Sequence, residues 1–195
     1  METWEINGKT LEYIDECHLY LVDGIIVPSV TQLLNRKFGH KYDGVSSATL
    51  QQAANRGTMI HKAIEDFCKN GKISDCEEVM DFKFLMRHYE FQVIENELPI
   101  ILEIGGETFA GRLDLILQKS NEIGMSVADI KTTSTLDKEY LGHQLNLYRI
   151  GVEQSYGYNI TSLYGIHLRQ GKRKMVEIPI KEAEWLEESL NISGV

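Results

Sequence analysis

The sequence predicts a mixed α/β fold built on a central sheet. Helical periodicity dominates up to about residue 96. Three strand-like runs follow between residues 99 and 131, and a helix and two more strand-like runs complete the pattern. Turn residues fall between these runs, at Gly105–Gly106 and Gln170–Gly171. No internal repeat or low-complexity segment interrupts the order. With 195 residues, the chain is long enough for one core-bearing domain and short for two.

Residues 11–27 alternate loosely in Ile, Leu, Val and Tyr around Asp23–Gly24 and predict a hairpin. Pro28–Ser29 then starts a short helix reaching about Leu34, with Ser29 as N-cap and Gln32 completing a capping box. The stretch 37–45 reads as a loop. Ser46 or Ser47 caps a helix running to about Lys69, ended by Asn70–Gly71. A third helix is expected over 75–96, stopping before Pro99. Strands follow at 99–104, 107–118 and 125–131, then a helix over 137–156. Strands at 161–169 and 173–180 flank the basic turn Gln170-Gly171-Lys172-Arg173-Lys174, and a last helix starts near Lys181. The expected domain thus has an N-terminal hairpin and short helix (1–45), a core (46–180) and a C-terminal helix (181–195).

Composition narrows the classes. No apolar run approaches the roughly 18 residues that a membrane span needs. The N-terminus METWEINGKTLEY has no basic region followed by an apolar one, so a cytoplasmic protein is the default expectation. The three cysteines, Cys17, Cys68 and Cys76, include no CxxC pair and exclude a disulfide framework, a zinc ribbon and a four-cysteine iron–sulfur cluster. The net charge of −9 counts against nucleic-acid binding at first sight. Much of that acid, however, sits in two helices, at Glu77, Glu78 and Asp81 and at Glu182, Glu184, Glu187 and Glu188. A metal site itself also requires clustered carboxylates.

Four groups of residues bear chemistry. In a strand, Asp129 and Lys131 of Asp129-Ile130-Lys131 share a face while Ile130 points to the other. Alone, this fits an exposed ion pair on an edge strand as well as a catalytic pair. Asp114, in Gly111-Arg112-Leu113-Asp114, lies among apolar residues where an unpaired carboxylate is costly; Arg112, a backbone donor or a metal would satisfy it. The two strands are expected to pair, setting Asp114 beside Asp129, and a divalent cation relieves the repulsion. Lys131 would then orient or deprotonate water, or neutralise transition-state charge. His61 borders the apolar stripe Ile60, Ala63, Ile64 and Phe67, with Glu65 one turn on. That pair reads either as a boundary histidine with a helical partner or as a metal ligand backed by a carboxylate. Gln144 and Tyr148 lie beside the stripe Leu141, Leu145 and Val152, as a boundary pair or as site residues.

In order, the motifs are Arg56-Gly57-Thr58-Met59-Ile60-His61-Lys62-Ala63-Ile64-Glu65, Gly111-Arg112-Leu113-Asp114, Asp129-Ile130-Lys131 and Gln144-Leu145-Asn146-Leu147-Tyr148. Together they resemble the RecB-type branch of the PD-(D/E)XK nucleases, which includes phage exonucleases and the mitochondrial genome-maintenance exonucleases. The resemblance covers about residues 50–150, and Val27–Leu34 is similar to a stretch near the N-terminus of phage members. It implies a restriction-endonuclease-like core: a central mixed sheet flanked by helices. It makes Asp114 and Asp129 metal ligands and Lys131 the catalytic lysine. It also makes His61 and the Ile130 carbonyl further ligands, Gln144 and Tyr148 supporting catalytic residues, and Glu65 a carboxylate behind the metal. Leu113 stands where the family name has proline, as it often does in this branch.

The resemblance implies Mg²⁺ or Mn²⁺, one or two ions, and no iron–sulfur cluster. The expected activity is a metal-dependent DNA exonuclease of phage or prophage recombination or replication. The alternatives are a non-catalytic DNA-binding recombination accessory protein and an endonuclease or RNA-acting nuclease on the same fold. DNA is the expected partner, contacted by Arg56, Lys62, Arg169, Lys172, Arg173 and Lys174 and by the loop around Lys37 and Lys41. A recombinase or single-strand-binding protein and a homo-oligomer are compatible partners. A membrane is not expected.

Overall fold

Two turn signals, Asn7–Gly8 and Asp23–Gly24, punctuate the first 27 residues, and each closes a hairpin. The computed structural model describes residues 1–72 and 74–192. In it β1 (Glu2–Ile6), β2 (Lys9–Ile14), β3 (Leu19–Val22) and β4 (Ile25–Val27) form an antiparallel meander in that order. Asn7 and Asp23 take φ of 48° and 51°, and Gly8 and Gly24 take 78°, the paired positive values of a type I′ turn. The hairpin expected at residues 11–27 is therefore the second half of a sheet that begins at Glu2.

The capping box forms: Gln32 N donates to Ser29 Oγ at 3.0 Å and Ser29 N to Gln32 Oε1 at 2.8 Å. The helix it starts, α1 (Val30–Phe38), outruns Leu34 because Leu33, Leu34 and Phe38 bury one stripe. A 3₁₀ turn, Gly39–Tyr42, follows, so part of the expected loop is helical. Ser46 caps α2 (Ser47–Asn70), and Gly71 ends it in the left-handed conformation.

The third helix is shorter than expected. α3 (Glu77–His88) stops, Glu90 turns the chain at φ 51°, and β5 (Phe91–Ile104) begins. Residues 91–96 read as helix locally, but they pair with the far end of β6 (Glu107–Lys119), Phe91 opposite Lys119. That long-range ladder overrides propensity. Then come β7 (Met125–Lys131), α4 (Lys138–Tyr156), β8 (Ile160–Arg169), β9 (Lys172–Ile178) and α5 (Ala183–Leu190). Gln170 and Gly171 alone make the last hairpin turn, at φ 42° and 75°, so Lys172, Arg173 and Lys174 lie in β9 rather than in the turn.

The second sheet runs β5-β6-β7-β8-β9, antiparallel except for the parallel β7/β8 pair that α4 crosses over to join. This is the mixed α/β arrangement that the sequence predicts. Leu33, Phe38, Leu141, Leu145 and Leu186 from α1, α4 and α5 pack with Ile100, Leu113 and Val127 in one core. Ile60, Ile64, Phe82 and Leu85 from α2 and α3 pack with Leu115, Ile130 and Ile166 in another. Each such buried side chain contributes about 1.5–3 kcal/mol. The meander packs Leu11, Val22 and Val27 with Ile101 and Ala110, and Ala110 N donates to Pro28 O at 3.1 Å. α4 is buried on most of its circumference rather than along a single stripe. It lies so close to β8 that a Cβ on Gly165 would come 2.4 Å from Leu141 Cδ2.

Candidate metal centre

The β6/β7 ladder pairs Leu115 with Ala128, Ile116 with Val127 and Leu117 with Ser126, and ends there. Continued by one position, the register would set Asp114 opposite Asp129, on one face. Asp114 Oδ2 instead accepts the Ile130 backbone N–H at 2.6 Å. A carboxylate has taken over a main-chain hydrogen bond where the two strands part, while β7 continues beside β8 as far as Lys131. The fork brings two acids and a strand end to one place.

Asp129 is 2% exposed. Its Oδ2 forms a 2.7 Å ion pair with Lys131 Nζ, and no second partner reaches that oxygen among the described residues. Lys131 Nζ donates to Gln144 Oε1 at 2.8 Å, so α4 fixes the ammonium that β7 supplies. Burial and the neighbouring Asp114 charge push the Asp129 carboxyl up to about 6, against the pull of Lys131. Asp114 moves the other way: burial opposes ionisation, but His61, Lys131 and the Ile130 N–H outweigh it and hold its carboxyl below the usual value. Burial also opposes charge on Lys131, yet Asp129 and Asp114 prevail and raise it. The carboxylates thus hold the lysine as an ammonium.

His61 reaches the fork from α2. Its Nε2 lies 3.0 Å from Ile130 O and its Nδ1 3.4 Å from Asp114 Oδ1. Burial disfavours the imidazolium, but the charge and hydrogen bond of Asp114 outweigh it and raise the ring to about 9. Tyr148 comes from α4, and its phenol is raised far above the ordinary value by burial and by Asp129 and Asp114. Its ring explains the glycine of Gly111-Arg112-Leu113-Asp114, since a Cβ on Gly111 would lie 3.2 Å from Tyr148 Cε1 and 3.3 Å from Val30 Cγ2.

The structure adds Glu97, which the sequence reading missed. One donor atom each from His61, Glu97 and Asp114 lie within 4.8 Å of one another. Glu97 lies just past the expected helix end at residue 96 and before the strand expected at 99, so only the pairing of β5 with β6 reveals it. The available signal was its position in Glu97-Leu98-Pro99, just ahead of a hairpin that carries Asp114.

The other expected residues have further partners, and Glu65 and Lys62 line a cavity together with His61 and Glu97. Glu65 pairs with Lys62 at 3.0 Å and Lys69 at 2.7 Å, while Asp114 takes the place beside His61 intended for it. Arg56 forms an ion pair with Glu78 of α3. Arg173 pairs with Asp81 at 2.9 Å and stacks 3.8 Å from the Phe84 ring centroid, again against α3. Lys172 and Lys174 are exposed on the edge strand β9, and Lys62 is exposed on α2. Lys37 donates to Ser189. Arg169 does reach the site: its Nη1 donates to Thr132 O at 2.8 Å. With Lys41, Lys131, Thr133 and Ser134 it lines a cavity of about 570 Å³.

The donor set fits a divalent cation. It is hard, made of carboxylate oxygens, a carbonyl oxygen and an imidazole, as Mg²⁺ and Mn²⁺ prefer. The buried Asp129 Oδ2 has Lys131 as its one partner among the described residues, which leaves it the capacity to accept an ion as well.

The family model of the PD-(D/E)XK nuclease superfamily matches residues 78–190, more than half of the chain. The match contains Asp114, Asp129, Lys131, Gln144 and Tyr148 and begins after His61. No curated protein sequence matches. Among solved structures, SSO0001 is similar over 85% of this chain and 72% of its own, at 16% identity and a TM-score of 0.49. A Eubacterium rectale protein provisionally named an exonuclease is similar over 82% and 68%, at 11% identity and a TM-score of 0.40.

Proposed function

Because the chain belongs to the PD-(D/E)XK nuclease superfamily, we propose that it is a divalent-metal-dependent deoxyribonuclease that hydrolyses DNA phosphodiester bonds from an end. The observation that carries the reading is the 2.6 Å contact from Ile130 N to Asp114 Oδ2. It stands where the β6/β7 ladder ends, one position short of Asp129, and sets Asp114 beside the Ile130 carbonyl and the Asp129 and Lys131 side chains while β7 stays paired with β8. Action at an end, and on DNA rather than RNA, rests on the resemblance of the four motifs.

Asp114, Asp129, the Ile130 carbonyl and His61 would hold the ion. The chemistry that a bound divalent ion supplies is polarisation of a phosphoryl oxygen and acidification of a water. Lys131, held charged and anchored by Gln144, offsets the negative charge that builds on the phosphate during attack. Gln144 fixes the lysine's direction, and Tyr148 packs on Gly111 to keep α4 against β6. The cavity lined by Lys41, Asp137, Arg169, Thr133 and Ser134 opens beside Lys131; Asp137 holds Lys41 at 2.7 Å, so Arg169 and the hydroxyls are what it offers the strand's backbone despite the negative total charge.

Purified protein with Mg²⁺ is to be compared on linear DNA, covalently closed circles and matched RNA, alongside Asp129→Ala and Lys131→Ala. Loss of linear DNA only, abolished in both folded variants, is expected. Cleavage of closed circles would overturn action from an end, and preference for RNA would overturn the substrate. DNA binding without cleavage in Mg²⁺ or Mn²⁺ would favour an accessory role.

A further inference from the structure

We propose that the outer edge of β9 and the neighbouring row of α3 form the interface of a two-fold homodimer, in which β9 pairs antiparallel with β9 of a second copy and Met175 lies on the axis. The inference concerns assembly and stands apart from the nuclease reading.

β9 is the last strand of the five-stranded sheet, beside β8. A two-residue turn joins the two, so Arg169 and Lys172 form the first hydrogen-bonded pair. Such pairs alternate along an antiparallel ladder. Lys172, Lys174, Val176 and Ile178 therefore turn their main-chain groups to β8, whereas Arg173, Met175 and Glu177 turn theirs outward. Among the described residues no turn or loop takes up the outward groups. The strand carries neither a proline nor a shift of register that would blunt its edge.

Charge selects the occupant. A second copy centred on Met175 sets Arg173 opposite Glu177 twice, and both residues have their main-chain groups outward as such a pair requires. Lys172 then meets Ile178 and Lys174 meets Val176, so the lysine stems lie along apolar neighbours. Centring on Arg173, Lys174 or Glu177 sets a charge against its own copy, and centring on Val176 pairs no opposite charges. Glu177 is exposed and has no ion-pair partner among the described residues.

The helix beside the edge fits the same symmetry. Asp81 and Phe84 of α3 both reach Arg173, so this helix lies against β9. Its outer row, Met80, Phe84 and His88, is exposed, and Phe84 stacks on His88 with ring centroids 5.6 Å apart. A two-fold axis perpendicular to the sheet brings the same row of the second copy to the same face. Apolar side chains that one chain leaves in water are then covered by the two together.

The competing account reads Lys172, Arg173 and Lys174 as charges that keep the edge from pairing. That would hold if the edge were basic throughout. It is basic at one end and acidic at the other, at Glu177, so an antiparallel copy sets opposite charges against each other.

Sedimentation of the full chain over a concentration series tests the proposal. Wild type should be a dimer at the upper concentrations. Glu177→Arg sets two arginines opposite each other at both ends of the pair and should dissociate about 10- to 100-fold more readily, with an unchanged circular dichroism spectrum. In a chain with Cys17→Ser, Met175→Cys should form a disulfide-linked dimer under mild oxidation, since residues paired on the axis stand about 5.5 Å apart. Glu177→Cys should not, its two copies lying about 14 Å apart along the strands. Wild type that stays monomeric throughout overturns the proposal and leaves the nuclease reading intact. A dimer that Glu177→Arg leaves unchanged, or that is linked in Glu177→Cys rather than in Met175→Cys, overturns it as well.

Discussion

Lys131 Nζ is held between Asp129 Oδ2 at 2.7 Å and Gln144 Oε1 at 2.8 Å, so the ammonium of a strand is aimed by the amide of a helix. Asp129, two residues back on the same strand, supplies the opposing charge. Gln144 gives direction.

Gln144→Ala should therefore lower kcat while leaving KM nearly unchanged, by up to about 100-fold, the usual effect of an ångström of misplacement at a reacting centre. Steady-state cleavage of a linear duplex measures it. An equal loss in Mn²⁺ affinity would move Gln144 from the lysine to the ion.

Gly111 makes a packing prediction. A methyl group at this position meets the Tyr148 ring and Val30 at 3.2 and 3.3 Å, neither of which is the free end of a flexible chain. Gly111→Ala should cost about 1–3 kcal/mol, as overpacking of a close contact does. Because the yielding ring neighbours Gln144, activity should fall as well. Urea denaturation and cleavage rates, read together, check both parts.

These residues show which parts of the molecule were legible in the sequence. Asp114, Asp129 and Lys131 were, because strand period and short connections are local, and the four motifs fell on the expected elements. Glu97 was not. It comes near His61 and Asp114 only because β5 begins at Phe91 rather than at the expected residue 99, and no local pattern announces that. Glu65 and Arg56 have partners that their motifs do not announce. Their motif positions were right, but Lys62 and Lys69 claim the one on the helix surface, and Glu78 of a different helix claims the other. In the basic run at 172–174 the central arginine is bound to Asp81, a partner far away in the sequence.

That distinction separates two arginines. Arg169→Ala, at the cavity beside Lys131, should weaken binding of a catalytically dead Lys131→Ala chain to DNA and flatten its salt dependence by about one phosphate contact. Arg173→Ala should leave DNA affinity unchanged. It should instead cost about 1–2 kcal/mol of stability, because Asp81 is left buried while the half-exposed arginine contributes only as a partly screened partner. Fluorescence anisotropy across a salt series and chemical denaturation separate the two.

The pH dependence has a defined sign. His61 at about 9, Glu97 at about 7 and Asp129 at about 6 all lie above their ordinary values of 6.5, 4.5 and 3.8. Across that range the folded chain holds more protons than the unfolded one, so without metal its stability should fall as pH rises. The His61 contribution is fully present below 6.5 and is lost as pH climbs through about 9. The two acids favour the folded state most below their ordinary values, and that advantage disappears as pH rises through about 6 and about 7. Asp114, shifted downward, acts oppositely, but only at more acid pH than this window. An ion needs both carboxylates charged and the imidazole neutral, so its affinity should climb over the same interval. Melting temperatures from pH 5 to 9 should therefore decline in a chelator and decline less, or rise, in Mn²⁺. Parallel curves in the two conditions would mean that the ion does not bind at these groups.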